Sequence, residues 1–303
     1  MLNAAGAIVA LLMIVLGGMA SAGELRCESI SSPALGRDMA FVVYVPDGYQ
    51  SSGLQYPVLY LLHGAGGDEN SWSQYGRIQE QADKLIANGS IPQTLIVMPG
   101  CRECWWIDGA KDKAETAFWK DLVPAVASRY RTIEARNGRL FAGLSAGGYG
   151  AVRFGLKYTD QIAAVAALSP AIYATSPPEI SSARYQPPFM GADGKFDNNV
   201  WASLNYPNLV GAYFKQPLRV PFYLASGDGD KYGIAFETAL LFKTLFDKQP
   251  DMTELRIVDG EHNWVVWASA IEGAMKYLYR FSAPPQPSPT NSSVAPAVVA
   301  GRR

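Results

Sequence analysis

The sequence predicts an α/β fold with a mostly parallel central sheet and helices on both of its faces. Continuous apolar runs at 57–62, 94–98 and 162–168 are typical of strands buried on both faces of such a sheet. Segments with helical spacing of apolar residues, such as 115–130, alternate with these runs. A chain of 303 residues, 49% hydrophobic and 17% charged, can bury one large core.

The composition also limits the partners. The chain has 26 basic and 27 acidic residues, and its net charge of -1 gives no reason to expect a polyanionic partner. We therefore expect no nucleic-acid partner, and nothing in the sequence predicts an obligate protein partner.

The N-terminal segment has the pattern of an export signal. The first 22 residues carry no charged side chain, and the apolar run 7–16 is too short for a comfortable membrane span. Ala20, Ser21 and Ala22 form an A-x-A site, which predicts cleavage after Ala22 and a secreted or periplasmic protein. Because the segment begins without Lys or Arg, an uncleaved anchor remains an alternative.

The mature domain is predicted to span 23–281. Its first half is predicted to begin with a hairpin formed by 25–31 and 39–45. Strands at 57–62 and 94–98 then alternate with helices at 74–87 and 115–130. Its second half is predicted to continue the alternation: strands 162–168, 220–225 and 254–258, and helices 234–246 and 264–279. The irregular but aromatic-rich stretch 173–217 predicts an ordered cap, and the composition of 282–303 predicts a disordered tail.

A G-x-S-x-G motif at 143–147 lies between the apolar run 140–142 and a segment that can begin a helix. In a strand-turn-helix context this motif predicts a nucleophile elbow, which lifts the hydroxyl of Ser145 out of the sheet. Gly143 and Gly147 allow strand and helix to pass closely. The alternative is a glycine-rich turn with an incidental serine, so the remaining partners of a nucleophile must be found.

A serine nucleophile needs a base, and the sequence contains only His63 and His262. Sites in open α/β sheets form at the carboxyl ends of strands, and hydrolases of this kind follow the chain order Ser, Asp or Glu, His. Only His262 fits that order. The acid is predicted after strand 220–225, where Asp228 and Asp230 compete; we favour Asp230 because it has the longer reach from the sheet edge.

The turn that begins at His63 is also rich in glycine. It predicts a loop whose Ala65 N–H joins the N–H of Ala146 in an oxyanion hole, while His63 braces the loop. The sequence shows neither a metal-ligand cluster nor a phosphate-binding G-x-x-x-x-G-K-[ST] motif, and we expect no cofactor.

Three cysteines in an exported chain predict one disulfide and one free thiol. The short spacing of Cys101 and Cys104 favours a local bridge, although Cys27 in the leading hairpin is a competing partner. A redox-active C-x-x-C is a further alternative, but such motifs occur at helix starts, whereas this one follows a strand.

With these residues assembled, 31–281 resembles the esterase D or putative-esterase family of α/β-hydrolases, which includes feruloyl, acetyl-xylan and tributyrin esterases, S-formylglutathione hydrolases and mycolyltransferases. The resemblance rests mainly on 56–64 and 142–151, and it implies an α/β-hydrolase fold with a short cap. The family's G-x-x-D pattern implies that Asp230 completes a triad with Ser145 and His262. Many relatives carry methionine where this chain has Ala146, and the C-x-x-C beside Trp105 is a second departure.

The sequence thus predicts an exported serine carboxylesterase that works through an acyl-enzyme on a small-molecule or polysaccharide-linked ester. An acyltransferase with the same triad and a non-catalytic binding module are the alternatives. Four aromatic residues are expected to line the substrate pocket: Trp105, Trp106, Tyr149 and Trp264.

Overall fold

A computed structural model describes residues 22–102, 104–110 and 112–288 of the chain. The predicted signal peptide therefore lies outside the described residues, apart from Ala22, and so do residues 289–303 of the predicted tail.

The centre of the molecule is an eight-stranded sheet with strand order β1-β2-β5-β4-β6-β7-β8-β9. The strands are β1 (Glu24–Ser32), β2 (Arg37–Val45), β4 (Val58–Leu62), β5 (Leu95–Pro99), β6 (Arg139–Leu144), β7 (Ala164–Leu168), β8 (Phe222–Gly227) and β9 (Thr253–Val258), and β3 (Leu54–Gln55) lies outside this sheet. The pairs β1-β2 and β2-β5 are antiparallel, and the remaining neighbours are parallel. The carboxyl ends of β4 to β9 consequently meet at one edge.

Helices cover both faces of the sheet, which confirms the predicted fold class. The helices are α1 (Tyr49–Ser52), α2 (Ser71–Gln74), α3 (Ile78–Ala87), α4 (Ala114–Ala117), α5 (Val123–Arg129), α6 (Ala146–Lys157), α7 (Asn198–Leu204), α8 (Tyr206–Tyr213), α9 (Ile234–Phe246) and α10 (Trp264–Leu278). Successive strand residues enter opposite cores, as the pleat requires. On β4, for example, Tyr60 packs in one core and Leu59 in the other.

Two predicted helices differ in detail from the structure. The helix expected over 115–130 is interrupted by a π-helical segment, Phe118–Leu122, between α4 and α5. The helix expected over 74–87 instead begins at residue 78, the start of α3, because Arg77 before it has a φ of 48°. A left-handed residue cannot be part of an α-helix, so the predicted helix starts four residues late, and Gln74 is instead the last residue of α2.

The region predicted as a cap, 173–217, is ordered around aromatic side chains. Phe189, Trp201, Tyr206 and Tyr213 are buried, whereas Tyr185 is exposed. Within this region α7 and α8 follow two short 3₁₀ turns. These aromatic side chains continue the core on one face of the sheet, and Phe189 and Trp201 contact Trp105 in the wall of the site described below.

The last described residues return to the body of the molecule. Gln286–Pro287 forms strand β10, which pairs antiparallel with β3, and Ala283 N–H donates to the carbonyl of Asn137 at 2.8 Å. Thus part of the segment predicted to be disordered, 282–288, has backbone partners, because β3 offers it a free edge. None of the helices in the described part of the chain has the length and apolar character needed to cross a membrane.

Candidate active site

The G-x-S-x-G motif forms a sharp turn between β6 and α6. Ser145 has φ 53° and ψ -118°, a backbone conformation that few residues other than glycine adopt. A Cβ on Gly143 would lie 2.3 Å from the carbonyl oxygen of Gly147, and one on Gly147 would lie 2.4 Å from that of Leu62. Only glycine fits these two contacts, so the motif folds as a strained turn that presents Ser145 at the edge of the sheet.

Ser145, His262 and Asp230 form a continuous hydrogen-bonded chain. His262 Nε2 lies 2.9 Å from Ser145 Oγ, and His262 Nδ1 lies 2.6 Å from Asp230 Oδ2. Because a carboxylate only accepts, Nδ1 carries the proton and Nε2 is free to accept from the serine hydroxyl. The side chain of Asp230 is fully buried, while that of His262 is 11% exposed. The tertiary structure thus brings together a hydroxyl, a base and an acid that lie far apart in sequence.

Asp230 and Asp228 have different partners. The second carboxylate oxygen of Asp230 accepts the N–H of Tyr232 at 2.9 Å, which fixes the orientation of the carboxylate. Asp228 is exposed, and its carboxylate accepts the N–H of Gly260 at 3.1 Å. Asp228 therefore joins two loops, and only Asp230 reaches His262.

The imidazole of His262 is held between two aromatic rings. Tyr232 and Trp267 each lie 4.9 Å from it, centroid to centroid, with interplanar angles of 72° and 89°. Trp267 Nε1 donates to the hydroxyl of Ser169 at 3.1 Å, and Ser169 directly follows β7 in a left-handed conformation with φ 41°. This packing limits rotation of the imidazole, so its two nitrogens remain directed at Ser145 and Asp230.

Tyr232, Trp267 and Ser169 are not among the site residues predicted from the sequence. Tyr232 lies two residues after Asp230, and Trp267 lies three after Trp264 on the same face of α10. This helical spacing was the available signal for Trp267. No sequence pattern indicates Ser169, because it meets the indole of Trp267 only through the arrangement of β7 and α10 in space.

The glycine-rich turn at 64–67 lies directly against the elbow. A Cβ on Gly64 would be 2.7 Å from a methyl carbon of Leu144 and 3.1 Å from Ser145 Cβ. Ala65 lines the cavity above Ser145, and Ala146 is the first residue of α6. First-turn N–H groups have no partner within their own helix, so that of Ala146 is available to a developing negative charge.

His63 holds this turn from below. It is fully buried; its Nδ1 donates to the carbonyl of Gly64 at 2.7 Å, and its Nε2 accepts the N–H of Cys101 at 3.0 Å. Burial lowers the pKa of His63, which keeps the imidazole neutral and suited to these two bonds. The indole N–H of Trp106 donates to the carbonyl of His63 at 3.0 Å. His63 therefore connects the turn at 64–67 with the loop that begins at Cys101.

A cavity of about 540 Å³ opens above Ser145. The aromatic residues in its lining are Tyr75, Trp105, Tyr173, Tyr232, Trp264 and Trp267. Trp105 and Gln186 also border a second cavity of about 490 Å³. The aromatic part of the wall can hold an aryl or alkyl group, and polar side chains such as Ser71, Ser181 and Gln186 share the lining.

The structure corrects two of the four predicted pocket residues. Trp105 and Trp264 line the cavity, whereas Trp106 and Tyr149 are fully buried and do not. Trp106 packs edge-on against His63, and a Cβ on Gly150 would lie 2.5 Å from Trp106 Cβ. Trp106 points away from Trp105 because its φ of 58° turns the chain between them.

Tyr149 is buried under the cap. Its ring stacks on Trp201 at 5.5 Å, and its hydroxyl donates to the carbonyl of Leu204 at 3.1 Å. Tyr149 therefore supports Trp105, which contacts it edge-on at 5.5 Å, and takes no part in the cavity lining.

The three cysteines lie as follows. Cys101 and Cys104 have Cα atoms 5.5 Å apart and sulfur atoms within bonding distance, and the N–H of Trp106 donates to the sulfur of Cys104. Cys27 lies exposed on β1. The geometry suits a bridge inside the loop that carries Trp105, whereas β2 separates the strand of Cys27 from β5, which precedes that loop. Among the described residues, no group of three or more His, Cys, Asp and Glu side chains could hold a metal ion.

Comparison with known proteins identifies the class of protein that this fold and site define. Residues 32–278 match the family described as Putative esterase, so the chain belongs to this family. It is 32% identical over 144 residues to the Mycobacterium tuberculosis protein named Esterase MT1326, a match that covers 45% of this chain and 30% of the relative.

Two further similarities are informative. The chain is 30% identical over 135 residues to the endo-1,4-beta-xylanase/feruloyl esterase of Xylanibacter ruminicola, which covers 42% of this chain and 19% of the relative. A solved ferulic acid esterase shares the fold with a TM-score of 0.71 at 24% identity, over 86% of this chain and 98% of that one. The matched segment thus spans less than a third of the length of these two sequence relatives.

Proposed function

We propose that this protein hydrolyses carboxylic esters through an acyl-enzyme formed on Ser145. The observation that carries the proposal is the hydrogen-bonded chain from Ser145 Oγ through His262 to the buried carboxylate of Asp230, at the base of a cavity of about 540 Å³. A strained serine with a correctly oriented base beside it is the arrangement that nucleophilic acyl transfer requires. Membership of the Putative esterase family supports the same reaction.

In the first half-reaction Ser145 Oγ attacks the ester carbonyl while its proton passes to His262 Nε2. The carbonyl oxygen becomes an oxyanion, which the N–H groups of Ala65 and Ala146 would bind. When the tetrahedral intermediate collapses, the bond to the alcohol oxygen breaks and His262 returns the proton to that oxygen. The alcohol leaves, and the acyl group remains on Ser145.

In the second half-reaction water takes the place of the alcohol. His262 removes a proton from water as the hydroxide oxygen bonds to the acyl carbon, and it then returns the proton to Ser145 as the carboxylic acid leaves. Asp230 stabilises the imidazolium that forms in both half-reactions and keeps Nδ1 protonated. Its fully buried carboxylate acts in a region of low dielectric, where this stabilisation is strongest.

The substrate that we propose is an ester with an aromatic or bulky apolar acyl group. The support is the cavity lining, in which Trp105, Trp264 and Trp267 offer flat apolar surfaces within reach of Ser145. The name of the relative from Xylanibacter ruminicola includes feruloyl esterase activity, which agrees with an aryl acyl group. The second cavity beyond Trp105 has room for a larger remainder of the substrate.

We further propose that the chain is exported, that it is cleaved after Ala22, and that Cys101 and Cys104 are then oxidised to a disulfide. The A-x-A site supports the cleavage, and the Cα separation of 5.5 Å supports the bridge. The bridge would hold the loop that carries Trp105 at the cavity. Mapping of peptides from the exported protein without reduction tests it, and Cys27 linked to either cysteine would contradict it.

Labelling with a fluorophosphonate tests the mechanism most directly. We expect one covalent adduct on Ser145 and none in Ser145→Ala. A panel of p-nitrophenyl esters of increasing chain length, together with methyl ferulate and acetylated xylan, then identifies the acyl group. Labelling of Ser145 without turnover of any ester in the panel would contradict ester hydrolysis while leaving the nucleophile assigned.

A further inference from the structure

The first residue of the predicted mature chain is held by the face of one helix. The N–H of Gly23 donates to Asp83 Oδ1 at 2.9 Å, and Gln79 Nε2 donates to the carbonyl of Gly23 at 2.6 Å. Gln79 and Asp83 lie four residues apart on α3, so they share a face of the helix. Both backbone groups of Gly23 are therefore fixed by side chains more than fifty residues away in sequence.

Any residue larger than glycine at position 23 would displace the ring of Tyr44. A Cβ at this position would lie 2.4 Å from Tyr44 Cε2 and 2.7 Å from the Tyr44 hydroxyl. The hydroxyl of Tyr44 also donates to Asp83 Oδ1, at 2.7 Å. Gly23 is buried, whereas Ala22 is exposed. Within the described part of the chain, the first buried residue is thus the one that follows the A-x-A site.

The carboxylate of Asp83 has donors but no counter-charge in the described part of the chain. Its two partners are a backbone N–H and a phenol, and it forms none of the ion pairs found among the described residues. The adjacent Lys84 pairs with Glu272 at 2.8 Å instead. A half-buried carboxylate without a cation is costly, because neutral donors replace only part of its hydration.

We propose that Asp83, with Gln79 and Tyr44, is a binding site for the α-ammonium group of Gly23 that is created when the signal peptide is removed. Hydrolysis of the bond between Ala22 and Gly23 consumes one water, leaves a carboxylate on Ala22 and converts the Gly23 amide nitrogen to an amine, which takes up a proton. That nitrogen already lies 2.9 Å from Asp83. The proposal rests on the proposed cleavage and is independent of ester hydrolysis.

The charge makes the effect depend on pH in a defined direction. An α-amino group in an unfolded chain titrates near about 7.7–8.0. Pairing with Asp83 raises the pKa of this group in the folded protein. The stabilisation is therefore complete below the unfolded pKa and is lost as the pH rises through the folded one.

Two versions of the chain that differ by one residue test the proposal. One chain begins at Gly23 and the other at Ala22. The longer chain keeps an amide N–H at Gly23 and carries its ammonium group one residue further out. At pH 6.5 we expect the Gly23 chain to unfold about 2–4 °C higher, the shift that a partly buried ion pair gives in a domain of this size. Above about pH 10 the two chains should unfold at the same temperature.

Asp83→Asn is the matched variant, because asparagine accepts the same hydrogen bonds without the charge. In Asp83→Asn the difference between the two chains should disappear, whereas Gln79→Ala should lower both melting temperatures and preserve most of the difference. Equal melting temperatures in the unsubstituted pair, or a difference that persists in Asp83→Asn, would overturn the proposal. So would an exported protein whose measured mass places its first residue elsewhere than Gly23. Ester hydrolysis, followed in parallel, should be equal in both chains.

Discussion

The two histidines of this chain occupy similar positions in the sheet but have different surroundings. Both follow parallel strands at the same edge of the sheet, His63 after β4 and His262 after β9. His63 is fully buried and both of its nitrogens bond to backbone groups. His262 instead joins the side chains of Ser145 and Asp230. An imidazole bonded only to backbone has no partner with which to exchange a proton, whereas one between a hydroxyl and a carboxylate can act as a base.

The difference teaches that position at the sheet edge is not sufficient for a catalytic role. In His63 the tautomer is used to join two loops, with Nδ1 as donor and Nε2 as acceptor. In His262 the same tautomer directs the free lone pair at the hydroxyl of Ser145. The partners decide the role of the imidazole, and the following substitutions test this in order of expected effect.

Removal of either reacting group should have the largest effect. We expect His262→Ala and Ser145→Ala each to lower kcat by about 10⁴–10⁶-fold, because nucleophile and base act as one unit. The double variant should lose no more than either single variant. Steady-state hydrolysis of p-nitrophenyl acetate measures all three, with circular dichroism to show that each variant is folded. Full activity in His262→Ala, together with an inactive but folded His63→Ala, would reverse the roles of the two histidines.

The two aspartates extend the comparison to the acid. We expect Asp230→Asn to lower kcat by about 10⁴-fold, because an amide can donate to Nδ1 and then favours the wrong tautomer of His262. Asp228→Asn keeps an acceptor for the N–H of Gly260 and should cost less than about tenfold. Measured kcat values for the pair decide between them. A large loss in Asp228→Asn with a small one in Asp230→Asn would move the role to Asp228.

The neutral state of His63 predicts a dependence of stability on pH. Its folded pKa is lowered by burial, while an unfolded histidine titrates near about 6.5. Below about pH 6.5 the unfolded state binds the extra proton, so this contribution to stability is present above that pH and is lost as the pH falls. The slope for one such group is at most about 1.4 kcal/mol per pH unit.

His63→Gln removes this titration and keeps a side chain that can donate and accept. Urea unfolding between pH 7 and pH 5 should therefore show a shallower loss of stability in the variant than in the unsubstituted protein. The variant should also be less stable at pH 7, because the bonds to Gly64 and Cys101 are rearranged. Identical slopes in the two proteins would mean that His63 does not remain neutral on folding.

The packing beneath His262 should have the smallest effect. Ser169→Ala leaves the indole N–H of Trp267 without its acceptor, which loosens one of the two rings that flank the imidazole. We expect kcat to fall by roughly 3–10-fold with little change in KM, since a modest displacement of a base reduces the rate without removing it. Ser169→Thr, which retains a hydroxyl, is the control. A change in KM alone would assign Ser169 to substrate binding.

Much of the architecture could be predicted because its signals are local. Continuous apolar runs identified the parallel strands, and the helix predicted over 234–246 coincides with α9, Ile234–Phe246. Helix boundaries were less predictable where the cause was a single left-handed residue such as Arg77. The interruption of the helix expected over 115–130 by Phe118–Leu122 likewise has no periodic signal in the sequence.

The candidate site could be predicted only as a set of residues. Chain order and the G-x-S-x-G motif selected Ser145 and His262, and the reach of the loop favoured Asp230 over Asp228. Of the four residues predicted to line the cavity, two do so. Adjacent tryptophans in sequence gave no indication that Trp105 would face the cavity and Trp106 the core, because a positive φ at Trp106 decides it.

The sequence by itself determined the sheet, the elbow and the residue types available for chemistry, because apolar periodicity and glycine sterics act over a few neighbouring residues. The tertiary structure alone decided which groups meet. Ser145 and His262 are 117 residues apart, and the lateral order of β6, β7, β8 and β9 closes that separation to 2.9 Å. The same long-range packing decides the hydrogen bond between Ser169 and Trp267 and the position of Gly23 at Asp83. No local sequence pattern indicates either contact.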